Sequence, residues 1–430
     1  MVITGRTVTL VALGAVPLVF APSITTVLFW LIAVAALSGI DALLAASPRG
    51  VGISREVHSP VRLSRSTQCE LTLTNLNSRR LRGMVRDAWQ PTAHPHTERH
   101  RINIPSDESR RVTTKLTPKR RGDLHADRVT IRTLGPLGLG GRQASFEVPG
   151  KLRVLPEFKA RRHLPSKLML LREMEGAASV QVRGQGTEFD SLREYVPGDD
   201  VRSIDWRATA RRSEVVVRTW RPERDRRVLI VVDASRTSAA RVGDGARLDA
   251  SIEAALLLGA LTSRAGDRVG LIAVDRKQRA LVPLNLGADV LSTFADALAP
   301  VYPQLVEVDW PYIAGLVSQQ LSQRSLVVLL TALDPAAVQS GLLPVATRLA
   351  RDHQVVVASV ADPELEELRR QRDDADDIFV ASAAERVKLE RFAIGRMLGQ
   401  VGVEVVEAGP DDLAPKLADT YLALKAAGKL

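Results

Sequence analysis

The sequence predicts a multi-domain protein of the α/β plus β class, in which a doubly wound α/β domain follows a membrane segment and a small antiparallel β-sandwich-like domain. Three observations lead to this prediction: an uncharged stretch near the N-terminus, a middle section of short strand patterns, and a C-terminal half in which strand and helix patterns alternate. The chain has 430 residues, enough for two or three packed domains. The predicted parts are a transmembrane helical hairpin at 1–46, the β-sandwich-like domain at 47–155, a charge-rich segment at 156–227 and the α/β domain at 228–430.

Residues 7–40 carry no formal charge. As a single helix this stretch of 34 residues would be about 51 Å long, against a hydrocarbon core of roughly 30 Å. Pro22 interrupts the stretch near its middle. We therefore predict two helices, near 5–21 and 24–45, which together form a tight hairpin in the membrane.

Arginines flank the apolar stretch on both sides, and the positive-inside rule then places both ends of the hairpin and the soluble domains in the cytoplasm, at the inner or plasma membrane. The flanking arginines are Arg6, Arg49, Arg55, Arg62 and Arg65. A cleavable signal peptide is the alternative, with Arg6 as its basic start and 7–20 as its apolar core. A second apolar run follows at once and no clear small-x-small cleavage site precedes it, which favours the hairpin.

Short strand patterns occupy the section after the membrane segment. Residues 61–77 alternate partly between apolar and polar side chains, and 110–122 and 127–141 follow with turn residues between them. This spacing predicts a small antiparallel sandwich. The Gly-rich stretch 133–141 lacks the Gly-Lys-Ser/Thr ending of a nucleotide-binding loop, so we predict a turn between strands there.

The numbers of cysteine, charged and aromatic residues limit the kinds of site and partner that the protein can have. Cys69 is the only cysteine, which excludes an intrachain disulfide framework and a thiolate metal cage. Segment 49–121 contains 16 basic and 6 acidic residues, and this surplus of 10 equals the net charge of the whole chain. A basic face beside the membrane would meet anionic lipid, and a solvated sheet face is the alternative. Aromatic residues make up only 4% of the chain, which argues against base stacking on nucleic acid.

Buried-strand patterns alternate with helix patterns in the C-terminal half, which is typical of a mostly parallel sheet that binds ligands at the carboxyl ends of its strands. The strand candidates are 226–235, 267–275, 325–334, 353–362 and 401–409. The helix candidates are 248–266, 287–298, 311–323, 336–351, 382–399 and 411–426.

The first of these strands ends in Asp233, and Ser235 and Thr237 follow at i+2 and i+4. A carboxylate and two hydroxyls on one loop are ligands for a hard cation such as Mg²⁺, although such residues are also common in turns and at helix starts. In this context the loop resembles the D-x-S-x-S metal-ion-dependent adhesion site of von Willebrand factor type A domains, and the resemblance extends from 228 to 430.

The sequence departs from that family's pattern in three places. Thr237 replaces the second serine but keeps a hydroxyl group. Val308 stands where the second loop of the family usually brings a threonine, and Ala332 stands where the third loop usually places an aspartate. Asp334, two residues further, is the available substitute. Mg²⁺ binding at Asp233, Ser235, Thr237 and Asp334 is therefore predicted as a degenerate site, since hard cations need several oxygen ligands at once.

A second constellation lies ahead of the α/β domain. Segment 183–227 contains 11 arginines and 9 acids, and Pro197-Gly198 gives a turn signal within it. Charges so closely interleaved can pair with one another, and burial of Tyr195 and Trp206 would anchor the segment. The candidate interaction residues are Glu188, Asp190, Arg193, Tyr195, Gly198, Asp199, Asp200, Arg202, Asp205, Trp206, Arg207 and Arg211.

This stretch closely resembles the signature of the bacterial domain-of-unknown-function family 58, in which such a segment stands just ahead of a von Willebrand type A-like domain. Many members also have an N-terminal membrane hairpin and a β-sandwich-like insert. The resemblance implies a cytoplasmic partner, since family members are often encoded beside MoxR-type AAA+ ATPases. The alternative is an architectural network that clamps the sandwich to the α/β domain.

These observations predict a membrane-anchored, non-enzymatic protein-interaction module facing the cytoplasm, which works with a MoxR-type AAA+ ATPase in cell-envelope or protein-complex assembly. No nucleophile and base stand together in the sequence, which favours interaction over catalysis. A metal-dependent hydrolase or transferase using Asp233 is the first alternative. Nucleic-acid binding by the basic segment 49–121 is the second, and phosphate contacts would then make the affinity fall steeply with salt.

Overall fold

A computed structural model of the chain describes residues 2–181, 188–212, 214–221, 226–243, 245–284, 289–335 and 338–430. The chain divides into two compact units, Met1–Glu157 and Phe158–Leu430. The first unit therefore contains both the apolar N-terminal helices and the sandwich strands, and the second contains the charge-rich segment together with the α/β sheet.

The N-terminal apolar stretch forms three helices, α1 (Gly5–Ala12), α2 (Ala15–Phe20) and α3 (Ile24–Leu44). Ser23 ends the break between α2 and α3, where its hydroxyl accepts a hydrogen bond from the backbone N–H of Thr26. The first and third helices are in contact, because the indole Nε1 of Trp30 donates to the carbonyl of Leu10 at 3.2 Å.

Among the residues that the structure describes, one helix, beginning at Ile24, is long and apolar enough to cross a membrane. The preceding segment Gly5–Phe20 is also apolar but shorter. One such helix supports membrane association of the N-terminus by its length and composition. The second span of the predicted hairpin remains a prediction.

Two sheets of mainly antiparallel strands make up the rest of the first unit. The strands are β1 (Val2–Ile3), β2 (Val51–Val57), β3 (Val61–Arg62), β4 (Thr67–Asn75), β5 (Leu81–Trp89), β6 (Arg99–Ile104), β7 (Ser109–Leu116), β8 (Gly122–Leu134) and β9 (Gly140–Leu155). The larger sheet has the order β1-β9-β8-β5-β6, with β3 parallel to β9, and the smaller sheet has the order β2-β4-β7.

The core of the sandwich lies between these two sheets. Leu71 and Leu73 of the smaller sheet pack with Val85, Val129 and Ile131 of the larger one, and all five side chains are fully buried. Strand β4 alternates between buried and partly exposed positions, as expected when one face of a strand lies on the core. The β-sandwich-like architecture predicted for this section is thus confirmed.

The second unit is built on a six-stranded sheet of order β16-β15-β12-β17-β18-β19, which is parallel except for the edge strand β16. Its sheet strands are β12 (Arg227–Asp233), β15 (Arg268–Val274), β16 (Gln278–Val282), β17 (Leu326–Leu330), β18 (Gln354–Val360) and β19 (Val403–Ala408). Two antiparallel pairs lie outside the sheet, β10 (Glu188–Glu194) with β11 (Val216–Arg221) and β13 (Arg241–Val242) with β14 (Gly245–Ala246).

Helices pack on both faces of this sheet. The α-helices of the whole unit, not all of which lie on the sheet, are α4 (Leu164–Gln181), α5 (Trp206–Arg212), α6 (Arg247–Arg264), α7 (Val290–Leu298), α8 (Trp310–Gln320), α9 (Leu343–Asp352), α10 (Pro363–Leu368), α11 (Ala375–Gln400) and α12 (Leu413–Ala426). One face packs Leu229 and Val231 against α8, α9 and α11, whereas α6 and α12 lie against the other. This arrangement confirms a mixed α/β unit and brings the carboxyl ends of β12 and β17 together at one edge.

Candidate functional site

Four oxygen-bearing side chains meet near the carboxyl ends of β12 and β17, those of Asp233, Ser235, Thr237 and Thr331. The buried Asp233 carboxylate accepts from the backbone N–H of Ser235 at 2.8 Å and from the Thr331 hydroxyl at 2.7 Å. The Thr237 hydroxyl lies 3.3 Å from both the Asp233 carboxylate and the Ser235 hydroxyl. The first loop thus forms the oxygen cluster that its sequence predicts, and Thr331 joins it from the neighbouring strand.

The second and third loops do not bring the side chains that the family pattern suggests to the oxygen cluster. The second loop contacts the first through its backbone, since Arg236 N–H donates to the Val306 carbonyl at 2.9 Å, while Val308 packs toward the core. Ala332 is buried, and Asp334 is exposed. The hydroxyl at the end of β17 therefore comes from Thr331, one residue before the position that the pattern suggests.

A partly buried arginine lies beside this oxygen cluster. Arg247 begins α6, and its Nη1 donates to the carbonyl of Thr237 at 2.8 Å. Burial lowers the pKa of the guanidinium, while nearby carboxylates that include Asp233 and Asp334 act in the opposite direction. The protein therefore supplies a positive charge of its own at this edge of the sheet.

The oxygen cluster fits Mg²⁺ by ligand type, since Asp233, Ser235, Thr237 and Thr331 offer one carboxylate and three hydroxyls. It fits less well by charge, because Asp233 is the one acid among these four and Arg247 already lies beside it. Within the described ranges, three or more His, Cys, Asp or Glu side chains nowhere cluster in a way that could hold a metal ion.

Replacing Asp233 by asparagine should change how stability depends on pH. Burial raises the pKa of the Asp233 carboxyl above its ordinary value of 3.8, although hydrogen bonds from Thr331, Ser235 and Thr237 oppose this. The folded chain thus binds a proton more tightly than the unfolded chain. The free energy of unfolding should therefore fall as the pH rises from 3.8, the ordinary pKa, to the raised pKa of Asp233 in the folded chain. The fall should be about 1.4 kcal/mol for each pH unit between these two pKa values. Asp233→Asn should lack this fall, which pH-dependent thermal unfolding would measure.

The same variant tests the cation site. We expect added Mg²⁺ to stabilise the unsubstituted chain and to leave Asp233→Asn unchanged, because the variant loses the charged ligand. An equal thermal shift in both proteins would place the ion elsewhere. A chain whose stability is the same with and without Mg²⁺ would exclude the metal site, while the pH profile would still report the protonation of Asp233.

The signature segment, which here means residues 188–212 and 214–221 of the charge-rich stretch, forms a hairpin with a short helix in its connection. Strands β10 and β11 pair antiparallel, and α5 lies between them. The stretch that holds Gly184 and Gly186 lies outside the described residues, and so do the side chains of Glu188 and Asp190. Tyr195 is partly buried, and its backbone N–H donates to the Val215 carbonyl at 2.8 Å.

A bidentate ion pair closes the turn that follows β10. Both terminal nitrogens of Arg193 donate to the Asp199 carboxylate, at 2.5 and 2.7 Å. Asp199 also accepts from the backbone N–H of Val196, and Gly198 adopts a φ of +111° that side-chain-bearing residues rarely adopt. Asp200 begins the next turn by accepting from the backbone N–H of Arg202 at 2.9 Å. The acids after Pro197-Gly198 therefore shape the loop locally.

Asp205 fixes the start of α5 in the same way. Its carboxylate accepts from the backbone N–H groups of Arg207 and Ala208 and from the Arg218 guanidinium at 2.8 Å. The Ala208 N–H, followed by Arg218, holds the pKa of Asp205 below its usual range. Both this ion pair and Arg193–Asp199 join residues within the segment.

Trp206 does not anchor the segment by burial, contrary to the sequence prediction. Its side chain is 69% exposed at the first position of α5, directly after Asp205, whose carboxylate accepts from the backbone N–H of Ala208. Val201 is also exposed, and so are three arginines that make no side-chain ion pair with any described residue. These arginines are Arg202, Arg207 and Arg211.

Residues 191–375 match the family model described as "Protein of unknown function DUF58". An uncharacterized protein from Mycobacterium tuberculosis is 28% identical over 212 residues, which are 49% of this chain and 64% of that relative. The uncharacterized protein YeaD of Bacillus subtilis is 27% identical over 167 residues, which are 39% of each chain. The chain thus spans less than two thirds of the length of these curated relatives.

Among solved structures, a CARDB domain from Pyrococcus furiosus aligns with 24% of this chain and 87% of its own, at a TM-score of 0.19 and 14% identity. The family-model match falls on residues of the signature segment and on much of the parallel-sheet unit. That part of the chain is similar to the DUF58 family, whose function is unknown.

Proposed function

We propose that the chain is a membrane-anchored, non-enzymatic interaction module whose soluble units face the cytoplasm and bind a MoxR-type AAA+ ATPase during cell-envelope or protein-complex assembly. The observation that carries this proposal is the exposed Trp206, together with the exposed Val201, Arg202, Arg207 and Arg211, all of which lie within five residues of it in the sequence. Tryptophan and arginine are the residues most enriched at the energetic centres of protein interfaces.

The electrostatics of the segment support a partner with acidic groups. Asp199 and Asp205 are already paired with Arg193 and Arg218, so their negative charge is neutralised within the segment. Glu194, Asp200 and Glu214 are exposed acids of the same segment, but α5 itself contains no acid, so its exposed Arg207 and Arg211 make the surface of this helix positive. Such a surface complements an acidic patch that also offers an apolar pocket for an indole ring.

The anchoring part of the proposal has two supports. The apolar helix α3 is long enough to cross a membrane, and Gly5–Phe20 would form the second arm of a hairpin. Arg6 lies in the first turn of α1 and Arg49 follows α3, and the positive-inside rule then assigns both ends to the cytoplasm. A protease added outside intact cells should leave the soluble units undigested if this orientation is right.

The parallel-sheet unit also agrees with the proposed von Willebrand type A-like fold. Its central strand β12 ends in the Asp233 loop, as the resemblance implies, and one antiparallel strand closes one edge of the sheet. Metal-dependent hydrolysis at this loop is the second candidate function, favoured by the four converging oxygens. The Mg²⁺ titration of Asp233→Asn decides whether that candidate has a basis.

Trp206→Ala should weaken partner binding strongly while leaving the fold intact. An interface hot spot is worth about 2 kcal/mol or more, so we expect a loss of affinity of roughly thirtyfold. Full-length protein would be purified from detergent-solubilised membranes, and an AAA+ ATPase should be enriched among its partners. Binding of that purified ATPase to both proteins then gives the loss of affinity.

Leu305→Ala is the matched control, because Leu305 is an equally exposed large apolar side chain of the same unit, at 80%. It should bind the ATPase as the unsubstituted chain does. The proposal fails if no ATPase is enriched. It also fails if Trp206→Ala and Leu305→Ala bind the ATPase equally well.

A further inference from the structure

A buried carboxylate fastens the end of α3 to the sandwich. Asp41 is fully buried, and it accepts hydrogen bonds from the backbone N–H groups of Leu137, Leu139 and Gly140 at 2.8–2.9 Å. The hydroxyl of Thr7 donates to the Leu139 carbonyl at 2.6 Å, so the first helix holds the same loop. The loop between β8 and β9 is therefore attached to both arms of the apolar segment.

The glycines of this loop allow the close approach. A Cβ atom at Gly135 would lie 2.2 Å from the backbone oxygen of Asp41, and one at Gly140 would lie 2.2 Å from that of Ser38. Larger residues at these two positions would push the helix away from the loop. The Gly-rich stretch is thus more than a turn between strands, because it cradles the end of α3 and fixes its position on the sandwich.

Exposed leucines surround this junction. Leu137 at the tip of the loop is 54% exposed, and Leu43 in the last turn of α3 is 68% exposed. Leu76, in the loop between β4 and β5, is 65% exposed, and its backbone N–H donates to the carbonyl of Gly50 just after α3. Three large apolar side chains therefore lie where the apolar helix meets the sandwich.

Arginines accompany these leucines. Arg142 donates to the carbonyls of Ala42 and Leu43, and Arg79 donates to that of Leu44 at 3.3 Å. Arg6 donates to the carbonyl of Leu137 at 3.2 Å. Each guanidinium has five N–H donors, so donors beyond these contacts remain for a phosphate group.

We propose that this junction surface lies in the membrane interface, where its leucines insert among the lipids and its arginines bind the phosphates of anionic headgroups. The junction surface comprises Leu43, Leu76, Leu137, Arg6, Arg79 and Arg142. The inference rests on the proposed membrane anchoring. The loop 135–140 is attached to the end of α3 by the hydrogen bonds of Asp41. If α3 crosses the membrane, this loop therefore lies at the depth where the helix leaves the bilayer.

Site-specific fluorescence in nanodiscs tests the proposal with the full chain. Leu76→Cys and Leu137→Cys would each carry an environment-sensitive fluorophore, and Cys69 is fully buried, so the unsubstituted chain gives a low background. We expect blue-shifted emission and severalfold stronger quenching by lipids labelled near the headgroup at both positions. Lys119→Cys is the control, because it is exposed beyond the opposite end of β4, about 30 Å away along the strand.

Lipid composition tests the role of the arginines. Phosphatidylglycerol should be enriched over phosphatidylcholine among the lipids that co-purify from mixed nanodiscs. Arg79→Gln and Arg142→Gln should each lower this enrichment about fivefold, which corresponds to about 1 kcal/mol for each charge near the surface. Lys119→Gln should leave it unchanged.

The outcomes separate the two proposals. A chain that fails to enter nanodiscs would refute the membrane anchoring itself. A chain that enters them, with Leu76→Cys and Leu137→Cys quenched no more than Lys119→Cys, would refute the junction surface alone. If Leu76→Cys and Leu137→Cys are strongly quenched but Arg79→Gln and Arg142→Gln leave the phosphatidylglycerol enrichment unchanged, the proposed arginine–phosphate contacts would be refuted.

Discussion

Replacing Asp41 by alanine is expected to destabilise the junction between α3 and the sandwich by on the order of 3 kcal/mol, since three backbone N–H groups, two of them in buried hydrogen bonds, lose their acceptor. The amides of Leu137, Leu139 and Gly140 should then exchange with deuterium roughly a hundredfold faster. Hydrogen exchange of the peptide that contains 135–141, measured on the full chain in micelles, would report this change.

Two further variants make the result specific. Asp41→Asn keeps one side-chain carbonyl oxygen, which can still accept from one or two of the three backbone N–H groups. This variant should therefore cause a smaller increase in hydrogen exchange than Asp41→Ala. Asp127→Ala removes an exposed acid of the same unit and should leave the exchange of 135–141 unchanged. Equal exchange in Asp41→Ala and the unsubstituted chain would show that the carboxylate does not hold the loop.

The sequence predicts well those strands and helices whose buried residues form a regular pattern of apolar side chains along the chain. The continuous apolar run at 226–235 predicts a strand, and β12 occupies Arg227–Asp233 with six of its seven side chains buried. Strand β16 has no such run, because Gln278–Val282 lies at a sheet edge and exposes most of its side chains. No apolar pattern in the sequence therefore predicts β16.

Long-range polar contacts could not be predicted from the sequence. Asp41 and its three amide donors are separated by about a hundred residues along the chain, and so are Thr331 and Asp233. Nothing near Asp41 in the sequence distinguishes a buried carboxylate from the simple end of an apolar stretch. Thr331 carries a weak signal, since it directly follows a buried strand, but only the sheet order places that strand beside β12.

For Trp206 the sequence leads to a wrong prediction, burial, where the structure shows an exposed side chain. Large aromatic side chains bury far more often than they stay exposed, so anchoring by burial is the natural expectation. Trp206 is instead exposed at the start of α5, directly after Asp205, which accepts from the N–H groups of Arg207 and Ala208. The available signal is the set of arginines around it, which suits a surface helix better than a buried one.

Arg55→Met should destabilise the sandwich by about 3–5 kcal/mol, the usual loss when one member of a buried ion pair is removed. Arg55 on the smaller sheet contacts Asp87 on the larger sheet at 2.5 Å, and both side chains are almost fully buried. Asp87 also accepts from the indole Nε1 of Trp89 at 2.9 Å, and the guanidinium lies over that ring. Without Arg55, the Asp87 carboxylate would be left buried with the indole as its remaining side-chain partner among these three residues.

Cys69 provides the measurement, because its thiol is fully buried in the same sandwich. Burial, with a further contribution from the Asp87 charge, raises the pKa of Cys69 to about 12, so the thiol should react with a labelling reagent only when the sandwich opens. A loss of 3–5 kcal/mol should therefore speed labelling of the full chain by roughly two to four orders of magnitude.

The double variant Arg55→Met with Asp87→Leu distinguishes a stabilising pair from a costly one. Replacing both charges with apolar groups removes the need to bury either, so this variant should label much more slowly than Arg55→Met alone. The Nε atom of Arg55 is itself buried without a hydrogen-bond partner among the described residues, which already weakens the pair. If the double variant labels as fast as Arg55→Met, the damage would come from lost packing of the arginine side chain, and the ion pair would contribute little to joining the two sheets.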